Sequence, residues 1–269
     1  MKSAKTVTQP IAASVLVGTS SVMQKLADTI DRLARYRANV LILGESGTGK
    51  ELIARTLHAR GPRRSAPFVP VNCATLAREL LENELFGHER GAFAGATERK
   101  RGLFEIADGG VLFLDAIAEM EVTLQAKLLR VIERNEFRRV GGTKKLRVDL
   151  SIIATTNRDL PTEMAAGHFR HDLFYRLKVA TVIVPPLRER REDIPALVDA
   201  FIVDFNRRND GKIRGIAPAA LRRLMEHAWP GDVRELRNVV ESAAMLCDDD
   251  TLGGASFEQA MASASLRAR

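Results

Sequence analysis

Five short apolar runs mark the first two-thirds of the chain, and helical stretches alternate with them. The runs are Asn39-Val40-Leu41-Ile42-Leu43, Phe68-Val69-Pro70-Val71, Val111-Leu112-Phe113-Leu114, Leu150 to Thr155 and Ala180 to Val184. Val111 to Leu114 is nearly all apolar, as expected for a parallel strand covered on both faces. After Gly49 the apolar Leu52, Ile53 and Leu57 share one side of a helix. Strand–helix alternation of this kind predicts an α/β fold, an open parallel sheet between helices.

Pro185-Pro186 ends that pattern. Beyond it three helices are expected, Ile194 to Asn206, Ala217 to Glu226 and Val233 to Leu246, with Trp229-Pro230-Gly231 separating the last two. They would form a small bundle beside the sheet. The expected divisions are a flexible segment 1–15, an α/β subdomain 16–185, a helical lid 186–249 and a tail 250–269. The tail is small and polar, which suggests a frayed end or one short helix. No internal repeat is visible.

The 269 residues are 45% hydrophobic and 28% charged, enough for one large domain with a sizeable core and a small appendage. No apolar run approaches the ~20 residues of a membrane span. No hydrophobic segment follows the opening MKSAKTVTQP, so a secretory signal is not expected and a cytoplasmic location is. Cys73 and Cys247 read as two ordinary core thiols, too few for a disulfide scaffold or a metal site. The net charge of +7 would suit a nucleic-acid partner. Its cations are interleaved with acids, as in Glu98-Arg99-Lys100-Arg101 and Arg188-Glu189-Arg190-Arg191-Glu192-Asp193, which predicts solvated faces instead.

Gly44-Glu45-Ser46-Gly47-Thr48-Gly49-Lys50 follows a strand and opens a helix, the setting in which a glycine-rich loop becomes a phosphate cradle. Glycines let several backbone N–H groups converge, the helix N-terminus adds partial positive charge, and Lys50 reaches the β- and γ-phosphates. A nucleoside triphosphate is therefore the expected ligand. The general pattern places Ser or Thr after the lysine to ligate Mg²⁺, but here stands Glu51, so Thr48 or water would fill that role. Asp115 closes an apolar strand, where a carboxylate can hold Mg²⁺ directly or through water, or can instead cap a helix. Asn157, ending another strand, would orient an attacking water or simply form a turn.

In this order the motifs resemble those of the sigma-54-dependent transcriptional activators, also called bacterial enhancer-binding proteins, from Val17-Gly18-Thr19-Ser20 to Leu246. The resemblance implies an AAA+ P-loop NTPase with a helical lid, and ATP as its nucleotide. Its most specific marker is Glu84-Leu85-Phe86-Gly87-His88-Glu89-Arg90-Gly91-Ala92-Phe93-Ala94-Gly95-Ala96. This matches the family segment carrying the GAFTGA loop, whose partner is sigma-54 bound to RNA polymerase. Phe169 to Leu177 matches the arginine-finger segment, implying that Arg170 and Arg176 reach the γ-phosphate of a neighbouring subunit. Trp229 to Asn238 resembles the lid motif in which Arg234 senses nucleotide. Fingers acting in trans require a homo-oligomeric ring, and the family forms hexamers.

The likeness breaks where the work would be done. The family places a glutamate after the strand-ending aspartate to polarise the attacking water, whereas this chain has Ala116; the loop threonine is replaced by Ala94. Losing a general base typically costs about 10²–10⁴-fold in rate. Asn72 matches the residue that couples hydrolysis to the sigma-54 loop in relatives, but its glutamate partner is missing. Glu119 is expected to point elsewhere. Neither a receiver or sensory module before residue 17 nor a helix-turn-helix after residue 249 is expected in this chain. Two readings follow: an ATP-driven ring that remodels sigma-54 RNA polymerase, or a non-hydrolysing, ATP-locked subunit acting on sigma-54 or a competent paralogue. A clamp on DNA rests only on the basic balance.

Overall fold

The computed structural model describes residues 16–267, so the expectation for segment 1–15 lies outside the described residues. The five apolar runs form one parallel sheet. Its strands are β1 (Val40–Leu43), β2 (Phe68–Asn72), β3 (Val111–Asp115), β4 (Ser151–Thr156) and β5 (Ala180–Ile183), in spatial order β2-β3-β4-β1-β5. Register pairs Val40 with both Ile153 and Ala180, and Asn72 with Asp115. Every residue of β4 is buried, as a strand in mid-sheet requires.

Strand alternation divides the core into two layers. Leu41, Leu112, Leu114, Ile152 and Ala154 pack with α3 (Arg78–Phe86), α4 (Val122–Arg134) and α5 (His171–Leu177). Val40, Ile42, Val111, Phe113 and Ile153 pack on the other side with α1 (Ser21–Leu33) and α2 (Lys50–Arg60). Ser20 caps α1 by accepting from the Met23 amide, and buried Asp193 accepts from Thr19 N, Ser20 N and Ser20 Oγ at 2.6–2.7 Å. The start of the domain is thereby tied to the start of the lid.

The lid contains α6 (Ile194–Asn209), α7 (Pro218–Glu226), α8 (Asp232–Met245) and α9 (Gly254–Arg267) around buried Trp229 and Leu236. Where a frayed tail or one short helix was expected, α9 runs for 14 residues and buries Phe257, Ala260 and Met261 against the lid. Their i, i+3, i+4 spacing is a full apolar stripe, masked in the sequence by small neighbours. No helix among the described residues is long and apolar enough to cross a membrane.

Two small pairings build a separate end of the molecule. Gly87–His88 pairs antiparallel with Lys100–Arg101, and Glu136–Phe137 with Leu146–Arg147. They lie side by side through Val140, whose amide donates to the Gly87 carbonyl and whose carbonyl accepts from Glu89 N.

Candidate functional site

The phosphate loop leaves β1 at Gly44 and enters α2 at Lys50. Gly47 (φ 88°) and Gly49 (φ 96°) adopt left-handed backbone that a side chain would strain. No side chain caps α2, so its first amides are left available to an anion. Lys50 Nζ donates to the carbonyls of Gly44 and Glu45, both at 2.8 Å. Burial lowers its pKa first; Asp115 pulls it up and Arg234 pushes it down. The lysine thus lies folded over the loop it would share with a phosphate.

Neither Thr48, the side-chain candidate for the missing hydroxyl, nor Glu51, which stands in the usual Ser/Thr position, faces the cradle freely. Buried Thr48 donates its hydroxyl to the Glu45 carbonyl at 2.8 Å, and Glu51 turns along α2 to an ion pair with Arg55. A different hydroxyl stands at the strand-ending aspartate: fully buried Thr155 donates to Asp115 Oδ1 at 2.5 Å and accepts from the Ala116 amide at 3.2 Å. Sequence reading missed Thr155, although a polar pair closing Ile152-Ile153-Ala154-Thr155-Thr156 was a usable signal.

Ala116 takes left-handed backbone, φ 55° and ψ 49°, immediately after β3. Asn72 stands beside Asp115 in register, with its Oδ1 accepting from Ala74 N at 2.8 Å. Asn157 is exposed just past β4. Glu119 pairs with Arg158 at 2.6 Å, so its carboxylate is engaged away from the position that Ala116 leaves empty of a base.

The lid closes directly on the loop. Arg234 donates its amide to the Gly47 carbonyl (3.3 Å) and its guanidinium to Ser46 Oγ (3.2 Å). A Cβ at Gly47 would stand 2.2 Å from the Gly231 carbonyl oxygen. Arg188 grips Glu45 with two bonds of 2.5 and 2.7 Å, and the bonding holds the Glu45 carboxyl below its usual range. Arg190 is buried between the loop and α1, donating to the Thr48 carbonyl at 3.2 Å with Asp232 at 3.9 Å. The run Arg188 to Asp193 is therefore not the solvated face its alternation suggested. Arg190 and Asp193 are buried, and the run forms the hinge between sheet and lid.

Arg170 and Arg176 belong to a different surface. Arg170 precedes α5 and pairs with Asp172 at 2.7 Å, while Arg176 on α5 pairs with Glu133 at 3.4 Å. Tyr175, Val179 and Ile183 are exposed in the same stretch of chain, the last on the edge strand β5. Neither is bonded to the phosphate loop.

The segment Gly91–Ala96 forms a tight projecting loop, closed by Gly91 N to Ala96 O (2.8 Å) and Ala96 N to Phe93 O (3.0 Å). Gly91 (φ 81°) and Gly95 (φ 100°) supply the turns. Ala94 is exposed, Ala92 is half-buried beside Gly141, and Phe93 stands 46% exposed with its ring 5.0 Å from His88. Arg139 anchors the base, bonding Glu89 and Glu105 at 2.5–2.8 Å.

Cys73 is buried as expected, its thiol pushed up to about 12 by burial and by Asp115; Cys247 is half-buried and donates weakly to Asp249 O and Thr251 O.

Comparison with known proteins bears on these features together. A model of the Sigma-54 interaction domain matches residues 16–183, and one of the AAA+ ATPase lid domain matches residues 188–269. The Nif-specific regulatory protein of Azotobacter vinelandii is 50% identical over 239 residues, covering 89% of this chain and 46% of that protein. The transcriptional regulatory protein ZraR of Klebsiella oxytoca is 51% identical over 237 residues, 88% of this chain and 54% of that one. Crystal structures of NtrX from Brucella abortus superpose with a TM-score of 0.84 in complexes with ADP (46% identity, 91% of this chain, 55% of that chain) and with ATP (45%, 90% and 54%). The chain spans about half the length of the relatives it matches. It belongs to the sigma-54 interaction domain family of AAA+ proteins, with a helical AAA+ lid completing the fold.

Proposed function

We propose that this chain binds ATP with Mg²⁺ in the Gly44–Lys50 cradle and, as one subunit of a ring, acts on sigma-54 RNA polymerase in the cytoplasm, with hydrolysis strongly impaired. The observation that carries the reading is the clasp on the loop: glycine turns and uncapped α2 amides from below, Arg234 and Gly231 from above. A triphosphate fits this donor set. Amides and Lys50 would meet its charge, Asp115 would offer a carboxylate to a magnesium ion, and Ser46 and Arg234 would close the outer side.

In this reading Lys50 leaves the Gly44 and Glu45 carbonyls for the β- and γ-phosphates. Asp115, steadied by Thr155, would hold the metal, which would supply charge neutralisation at the phosphates. Arg170 and Arg176 act on the γ-phosphate of the neighbouring subunit, and Asn157 orients the water. Ala116 has no group to accept that water's proton, Glu119 is paired with Arg158, and Asn72 has no glutamate to couple to. Phe93 at the tip of Gly91–Ala96 makes the apolar contact with sigma-54, without a hydroxyl at Ala94.

The two alanines favour the second reading as a refinement of the first: an ATP-locked subunit that joins a hexameric ring or holds sigma-54 without turning over. Calorimetric titration with ATP and Mg²⁺, paired with capture of sigma-54 in the presence of ATP, tests the proposal. Micromolar ATP affinity lost in Lys50→Ala, and sigma-54 capture lost in Phe93→Ala, are expected. Absence of adenine-nucleotide binding by the wild-type chain would overturn it.

A further inference from the structure

The net charge of +7 is not spread over the molecule. Residues 87–101 and 138–147, only 25 positions, contain nine Lys and Arg against two carboxylates, Glu89 and Glu98. Their formal charge is +7, the whole excess of the chain, and the remaining residues hold 32 cations and 32 carboxylates. The two segments are far apart in sequence and adjacent in space. Val140 bonds to Gly87 and Glu89, and Gly141 packs on Ala92.

Part of this charge is neutralised locally. Arg139 sits between Glu89 and Glu105, Lys100 pairs with Glu84, and Lys145 with Glu136. Counting the three carboxylates that the fold brings in, Glu84, Glu105 and Glu136, the face keeps +4. Arg90, Arg99, Arg138, Lys144 and Arg147 are exposed and make no ion pair among the described residues. Within the two segments Phe93 is the only exposed large hydrophobic side chain described.

We propose that this face binds duplex DNA through its phosphate backbone, beside the loop that contacts sigma-54; that adjacency to the polymerase rests on the function proposed above. A protein interface is built on an apolar centre with a polar rim. Here a single aromatic is surrounded by unpaired cations, most of them arginine, whose fork matches phosphate oxygens. Arg139 is held as a structural strut, and its bond to Glu89 ties the second segment to the first. The contact is sequence-independent, because the cations project from loops and a two-residue strand, with no helix to enter a groove.

Fluorescence anisotropy with a labelled 30-base-pair duplex of arbitrary sequence tests the proposal on the full 269-residue chain, without nucleotide. If the face meets about four phosphates, log K falls against log salt with a slope near −3.6, roughly 10²-fold between 50 and 200 mM. Replacing Arg138, Lys144 and Arg147 together by Gln should weaken binding at least 10-fold and make the slope shallower by about 3. A control replacing exposed Lys25, Arg35 and Arg222 by Gln removes the same charge elsewhere and should change affinity less than twofold. Retained affinity for a fluorescent ATP analogue shows that both variants are folded. Equal weakening in both variants, or no binding at 50 mM salt, overturns the proposal. Loss of sigma-54 capture in the loop variant with unchanged DNA affinity also overturns it, by making the face a protein contact. Wild-type DNA binding without any sigma-54 capture would instead refute the proposed function and leave this surface standing.

Discussion

Replacing Ala116 with Glu should raise steady-state ATP turnover by about 10²-fold or more. A general base contributes about 10²–10⁴-fold, equivalent to roughly 2.7–5.5 kcal/mol of barrier, and the site is arranged to accept one. Ala116 follows β3 directly, its amide is fixed on Thr155 Oγ, and its side chain is only half-buried, so a carboxylate there keeps part of its hydration. The left-handed backbone, φ 55°, already strains alanine by about 1–2 kcal/mol. Glutamate inherits the same strain rather than adding to it, so stability should move by less than about 0.5 kcal/mol. Ala116→Gly is the control. It relieves that strain, offset in part by chain entropy, for a net gain of about 0.5–1 kcal/mol, and adds no base. Malachite-green phosphate release on wild type, Ala116→Glu, Ala116→Gly and Ala116→Glu with Lys50→Ala measures the effect. Background release from Ala116→Glu with normal ATP affinity would refute the reasoning, as would an equal gain in Ala116→Gly.

Gly47→Ala should weaken ATP binding more than 10-fold without unfolding the chain. The new methyl meets the Gly231 carbonyl, and the left-handed backbone is strained by any Cβ; calorimetry beside a urea melt separates the two effects. Phe257→Ala should destabilise the lid by about 3–5 kcal/mol, read from its unfolding transition, because that ring is fully buried under α8 and its neighbours. Cys73 should resist alkylation at pH 8 until the chain unfolds, as peptide mapping can show. Its thiol keeps its proton in the fold up to about pH 12 and loses it near pH 9 when unfolded. Between those values the unfolded state binds fewer protons, so stability falls as pH rises, by up to about 1.4 kcal/mol per pH unit.

The sheet and the cradle were legible because each is written in contiguous residues. A parallel strand covered on both faces is an apolar run, and β1 to β5 lie within a residue or two of those runs. The loop Gly44–Lys50 likewise declares itself between a strand and a helix. The hinge was hidden for the opposite reason. Arg190 and Asp193 alternate with truly solvated neighbours, and their burial depends on a phosphate loop and a helix start more than 140 residues upstream. Thr155 looked like any β-branched strand residue until β3 delivered Asp115 to its hydroxyl. The clustering of charge was hidden in the same way. Glu98 seemed to balance its neighbours along the chain, but the second basic segment that swamps it arrives only through the Val140 pairing. Helix α9 shows the limit of composition, since Phe257 and Met261 outweigh a tail of small residues once α8 offers them a partner.

The Gly231 carbonyl pressed on Gly47 joins two motions that could otherwise be separate. With Arg234 also bonded to Gly47 and Ser46, the position of the lid constrains the shape of the loop, and a change in either is felt by the other.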